Sequence, residues 1–148
     1  MIMSNFYELS EEEKQIIEDT KGKVAEITSE IFMLLNKQFD DTTELERQIL
    51  ATFCFGIING IVFERDIPPL QAHSITHSLL VARFNYSEDQ AEDFTQELIN
   101  STDEEYHPVM FSIIRRGIDG YRQYLNDDKA QLRVNIIEVL DIINSESD

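Results

Sequence analysis

The chain has 148 residues, 42% of them apolar, and a formal charge of −17 from 29 acidic against 12 basic side chains. That length suits one domain, and that apolar share supplies a core without disulfides or metal. The charge argues against non-specific binding to nucleic acid or anionic lipid, which would both repel it, and makes a basic protein the natural partner.

The opening MIMSNFYELSEEEK has no basic stretch followed by an apolar one, so a cytoplasmic protein is expected. Residues 1–9 and 144–148 read as frayed ends of a single all-α domain. Ser10 and Glu13 form a capping box, and behind it Ile16, Ile17, Val24, Ile27, Ile31, Leu34 and Leu35 recur at helical spacing. A first helix from Glu11 to Gln38 follows, with Gly22 as a point of bending or division. Its acids Glu11, Glu12 and Glu13 sit where the helix dipole favours negative charge.

Thr43 and Glu46 make a second capping box and start a helix that ends near Arg65. Its heart, ILATFCFGIINGIVF from Ile49 to Phe63, has Thr52, Asn59 and Cys54 as its only polar side chains. A helix apolar on every side must be covered on every side, so this segment is expected at the centre of a helical bundle. As a fifteen-residue run interrupted by two glycines it falls short of the roughly 20 apolar residues that a membrane span takes. Cys54, the single cysteine, reads as a small buried hydrophobe in a reducing compartment. Gly56 and Gly60 share a face, and their missing side chains leave room either for another helix or for a ligand.

The run Asp66-Ile67-Pro68-Pro69 breaks the pattern and opens a third helix, Pro68 to Phe84. His73 and His77 share one of its faces. They are either ordinary histidines on a polar side or two ligands of a metal whose third would come from Glu64, Asp66 or His107. The Glu of an H-E-x-x-H motif is missing.

Ser87 and Gln90 cap a fourth helix, Glu88 to Asn100, with one apolar stripe of Ala91, Phe94, Leu98 and Ile99. Its other side is acidic. Between Ser87 and His107 stand eight acids, Glu88, Asp89, Glu92, Asp93, Glu97, Asp103, Glu104 and Glu105, and no Lys or Arg. In the first helix lysines are interspersed among the acids, as on an ordinary solvated face; here nothing relieves them. Like charges at i, i+4, as in Asp89/Asp93, destabilise a helix by a few tenths of a kcal/mol. Either the repulsion is generic acidity that keeps the chain soluble, or it builds an anionic surface that steers a cationic partner.

Thr102 and Glu105 offer a cap for a fifth helix reaching Leu125, with Pro108 in its first turn. Gly117 and Gly120 echo the earlier glycine pair, as GIDG beside GIING, which suggests close packing of the two helices or a trace of a repeat. Arg115 and Asp119 are expected to pair. Asn126-Asp127-Asp128 is a turn, and Leu132, Ile136, Ile137, Val139, Leu140 and Ile143 mark a last helix. The expected architecture is a compact bundle of about six helices.

No phosphate-binding glycine loop, C-x-x-C or G-x-S-x-G motif is present, and in so acidic a chain adjacent carboxylates arise by chance. An acidic all-α chain with an FCFGIING helix and a later HPVMFSIIRRGIDGYRQY helix resembles the all-α immunity proteins encoded beside toxin genes in bacterial polymorphic toxin systems, and among them the immunity protein 48 family. The likeness runs over residues 10 to 143. It implies a stoichiometric, non-enzymatic inhibitor that binds a cognate toxin, often a nuclease, whose basic surface the eight acids would fit. No cofactor, metal, direct nucleic-acid contact or membrane contact is expected on this reading. A helical regulator or nucleic-acid mimic that occupies some other basic protein makes the same charge prediction, and a metal-dependent hydrolase built on His73 and His77 is a third class.

Overall fold

A computed structural model describes residues 9–146 of the chain, and their side chains over 9–142. The loose ends expected at 1–9 and 144–148 fall outside this range, apart from Leu9, which packs against the core, and 144–146, which continue the last helix. The side chain of Ile143 is also outside it. Among the described residues six α-helices follow one another: α1 Glu11–Leu35, α2 Glu44–Arg65, α3 Pro69–Phe84, α4 Glu88–Asn100, α5 Pro108–Leu125 and α6 Lys129–Glu146. A short 3-10 turn, Phe39–Asp41, links the first two, and no strand occurs among the described residues. The fold is all-α.

Three capping boxes form as their sequences require, at Ser10/Glu13, Thr43/Glu46 and Ser87/Gln90. Helix ends are set by a less conspicuous signal. Asn36, Asp66, Asn85 and Asp127 adopt left-handed backbone with φ of 55°, 55°, 60° and 56°. Asn and Asp tolerate this region better than other non-glycine residues, and each stops a helix here. So α1 ends at Leu35 rather than continuing to Gln38, because Asn36 turns the chain and its N–H reaches Met33 O. Gly22 neither bends nor divides α1, which is continuous.

The start of α5 differs from expectation. Thr102 does not cap it; its hydroxyl donates back to Ile99 O at 2.7 Å, closing α4. The cap is His107, whose Nδ1 accepts from the Met110 N–H at 3.2 Å, ahead of Pro108. Arg115 lies over the Phe111 ring, 5.8 Å from its centroid, while Asp119 takes Arg122 as its partner at 3.2 Å. The neighbouring aromatic face draws Arg115 away from the carboxylate.

The central helix is α2. From Ile49 to Ile58 every residue is buried. At 22 residues the whole of α2 is long and apolar enough, by length and composition alone, to cross a membrane, but its apolar window is 67% buried inside the protein. Helices α1, α3, α5 and α6 supply the covering, and α5 makes the most extensive contact. The glycines explain this contact. A Cβ on Gly56 would stand 2.8 Å from Gly117 Cα and against the Ile114 carbonyl; one on Gly117 would stand 2.9 Å from Gly56 Cα. Gly60 and Gly120 make room for the Tyr121 and Phe53 rings respectively. The two helices meet backbone to backbone, which settles the likeness of GIING and GIDG as packing.

Cys54 is 1% exposed, and burial pushes its thiol up to about 12, so it is an unreactive part of the core. A polar network centred on a buried asparagine joins α5 to α6 and opens to solvent at Glu138. Asn135, 2% exposed, accepts from Arg116 Nε at 2.6 Å and donates to Arg116 O at 2.9 Å, while Arg116 also reaches Glu138 at 2.6 Å.

Candidate protein-binding surface

Helix α4 lies at the edge of the bundle and packs chiefly against α3. Its single apolar stripe dictates this position: Ala91, Thr95 and Leu98 are buried, and Phe94 packs against Tyr86 with ring centroids 5.6 Å apart. A helix with one narrow apolar stripe can be covered on one side only. The other side is left to water, and all eight acids, Glu88, Asp89, Glu92, Asp93, Glu97, Asp103, Glu104 and Glu105, are exposed.

The loop after α4 is held against the helix. The Tyr106 hydroxyl donates to Glu97 Oε1 at 2.9 Å, and the buried Ser101 hydroxyl donates to Glu97 O at 2.7 Å. Within the loop the Glu105 N–H donates to Asp103 Oδ1 at 3.0 Å, and the Tyr106 N–H to Asp103 O at 3.1 Å. These bonds make Asp103, Glu104 and Glu105 an extension of the α4 surface in a defined geometry.

Two acids on the α3 side face histidines. His77 Nε2 is 3.2 Å from Glu88 Oε2, and His73 Nε2 is 3.5 Å from Glu92 Oε2. The two rings thus meet different carboxylates. The other metal ligands considered from the sequence are engaged apart from them: Glu64 accepts from the Tyr121 hydroxyl at 3.1 Å, His107 caps α5, and Asp66 ends α2. Among the described residues no group of three His, Cys, Asp or Glu side chains is placed to hold a metal ion.

Beside α4 runs an open groove of about 440 Å³, between it, the start of α2 and the end of α3. Glu44, Asp93 and Glu97 stand on its rim, and Phe39, Tyr86 and Phe94 in its wall. Burial and the nearby Glu44 carboxylate hold the Tyr86 phenol above its ordinary range. Arg47 of the chain itself also lines the groove and lies over the Phe39 ring, 4.6 Å from its centroid, so that aromatic face already carries a cation.

The sequence placed the eight acids on one segment but gave no sign of the Tyr106–Glu97 tie or the histidine contacts. The short α3–α4 connection was the available clue, since it makes the two helices antiparallel neighbours and brings His73 and His77 toward Glu92 and Glu88.

The bundle displays an acidic helix and the loop that follows it at one edge. The sequence matches the family described as Immunity protein 48 over residues 5–144, and the chain belongs to that family. No curated protein and no solved structure matches it.

Proposed function

We propose that this protein neutralises a cognate bacterial toxin in the cytoplasm by binding it, and that the toxin is a basic, nuclease-type protein held on the acidic surface of α4 and the loop that follows. Family membership supports the immunity role. The observation that carries the choice of surface is the run of eight exposed acids between Ser87 and His107 with no Lys or Arg among them. A nuclease needs a cationic surface to hold nucleic acid, and a rigid anionic face competes for that surface and raises the rate of encounter. The protein acts as a stoichiometric inhibitor, with no bond made or broken in the toxin.

Asp89, Asp93 and Glu104 hydrogen-bond to no other side chain among the described residues, so reversing them tests charge without dismantling the fold. The experiment is co-expression with the toxin captured from the native host. Wild type restores growth, and Asp89→Lys/Asp93→Lys/Glu104→Lys loses protection while keeping the helical circular dichroism signal. Equal protection by the triple variant rejects the surface, and a captured partner that is not toxic rejects the immunity role in favour of a helical regulator of another basic protein.

A further inference from the structure

Among the acids between Ser87 and His107 stands an aromatic ring that plays no part in charge steering. Tyr106 is 50% exposed at the end of the loop after α4, and the chain fixes it at several points. Its hydroxyl donates to Glu97 Oε1 at 2.9 Å, its N–H donates to Asp103 O at 3.1 Å, and its neighbour His107 caps α5 ahead of Pro108. The ring is displayed in one orientation, so little side-chain freedom is left to lose when a partner covers it. The other aromatic side chain of α4, Phe94, is packed on Tyr86. The other exposed large apolar side chain of the segment, Ile99, is two residues on from Glu97 and leaves α4 on a different side. Phe39, Phe111 and Tyr124 each carry a cation of the chain itself, from Arg47, Arg115 and Lys23. Among the described residues no cation lies over Tyr106, and the segment that presents it has no Lys or Arg.

We infer that Tyr106 is the anchor of the toxin-binding surface, its ring covered in the complex by a Lys or Arg side chain of the toxin that Glu97, Asp103, Glu104 and Glu105 draw in. The inference rests on the toxin-binding reading and adds to it the residue that sets the lifetime of the complex. Exposed carboxylates raise the rate of encounter, but each exposed ion pair contributes little once it has formed. A lasting complex needs a desolvated centre inside the charged rim, and tyrosine is among the residues that most often supply it. A cation over this ring is attracted by the ring face and by the carboxylates beside it. The hydrogen bond from the hydroxyl to the Glu97 carboxylate polarises the ring and strengthens that attraction.

The test is to measure association and dissociation rates separately, with the toxin captured from the native host and purified, on wild type and on variants of Tyr106. Tyr106 is exposed, so its replacement leaves the core and the helical circular dichroism signal alone. Tyr106→Ala is expected to dissociate at least about tenfold faster than wild type and to associate within about threefold of its rate, because every acid remains. Tyr106→Phe loses the tie to Glu97 but keeps the ring, and is expected to dissociate within about threefold of wild type. Tyr106→Leu keeps apolar bulk without an aromatic face and is expected to dissociate as fast as Tyr106→Ala. A Tyr106→Ala variant that dissociates like wild type overturns the inference, since the ring is then not covered. A Tyr106→Phe variant as fast as Tyr106→Ala overturns it as well, since Tyr106 then acts only by fixing the loop, and a Tyr106→Leu variant as slow as Tyr106→Phe overturns the cationic occupant. Each of these results leaves the acidic surface standing if Asp89→Lys/Asp93→Lys/Glu104→Lys associates slowly, and the surface itself is rejected if that variant associates like wild type.

Discussion

Gly56 and Gly117 face each other across the crossing of α2 and α5 so closely that a Cβ on Gly56 would lie 2.8 Å from the Cα of Gly117. The atoms it would meet are backbone, so no rotamer change makes room and the helices must separate. Gly56→Ala and Gly117→Ala are therefore expected to destabilise the protein by about 3 kcal/mol, at the upper end of typical overpacking costs or beyond. Gly60→Leu, against the Tyr121 ring, is expected to be destabilising too. Urea midpoints of the variants check this; an unchanged midpoint for Gly117→Ala contradicts the crossing.

Gly22 is the control. Nothing lies within 4 Å of a Cβ placed there, and the residue is exposed inside a continuous α1. Gly22→Ala is expected to stabilise by about 0.5–1 kcal/mol through helix propensity and a less flexible unfolded chain. The melting temperature should rise by a few degrees.

Glu46 links stability to pH. The backbone N–H of Thr43 donates to its Oε1 at 2.9 Å and Lys37 Nζ stands 3.2 Å from Oε2, and these hold the carboxyl below its ordinary value of 4.5. Because the folded value is the lower one, its stabilisation is present above about pH 4.5 and fades as pH falls through the folded value. Glu46→Gln keeps a cap, as Gln90 does behind Ser87, and removes only the charge facing the Thr43 N–H and Lys37, so it is expected to cost about 0.5 kcal/mol at neutral pH and much less near pH 3. A pH-independent difference in denaturation midpoints would count against this origin.

Asn135 joins α5 to α6 through Arg116. Asn135→Leu removes the acceptor of Arg116 Nε and the donor to Arg116 O and Gln123 Oε1, groups that are only partly buried, at an expected cost of about 1 kcal/mol. If thermal melting shows no loss, the network is not contributing to stability.

What could be read from the sequence followed from how local the signal is. Capping boxes lie within four residues, and they placed the starts of α1, α2 and α4. The burial of Ile49 to Ile58 followed from an apolar run without a polar side, and the contact of the glycine pairs from a cost that only close packing offsets. The end of α1 was overrun because Asn36 is an ordinary polar residue until its backbone turns left-handed. The cap of α5 was misplaced because a histidine ring, rather than the expected Thr102, accepts the N–H. Arg115 pairs with a ring and Asn135 with Arg116, choices made by neighbours in space. The eight acids were legible as composition, whereas Tyr106 fixing the loop on Glu97 depends on tertiary geometry.

The measurement closest to the central proposal is the rate of association with the captured toxin, for wild type and Asp89→Lys/Asp93→Lys/Glu104→Lys, at low and high salt. Steered association through the acidic surface predicts that the variant associates at least about tenfold more slowly at low salt, and that the difference shrinks as salt screens the charges. Equal association rates for the two proteins at low salt would contradict it.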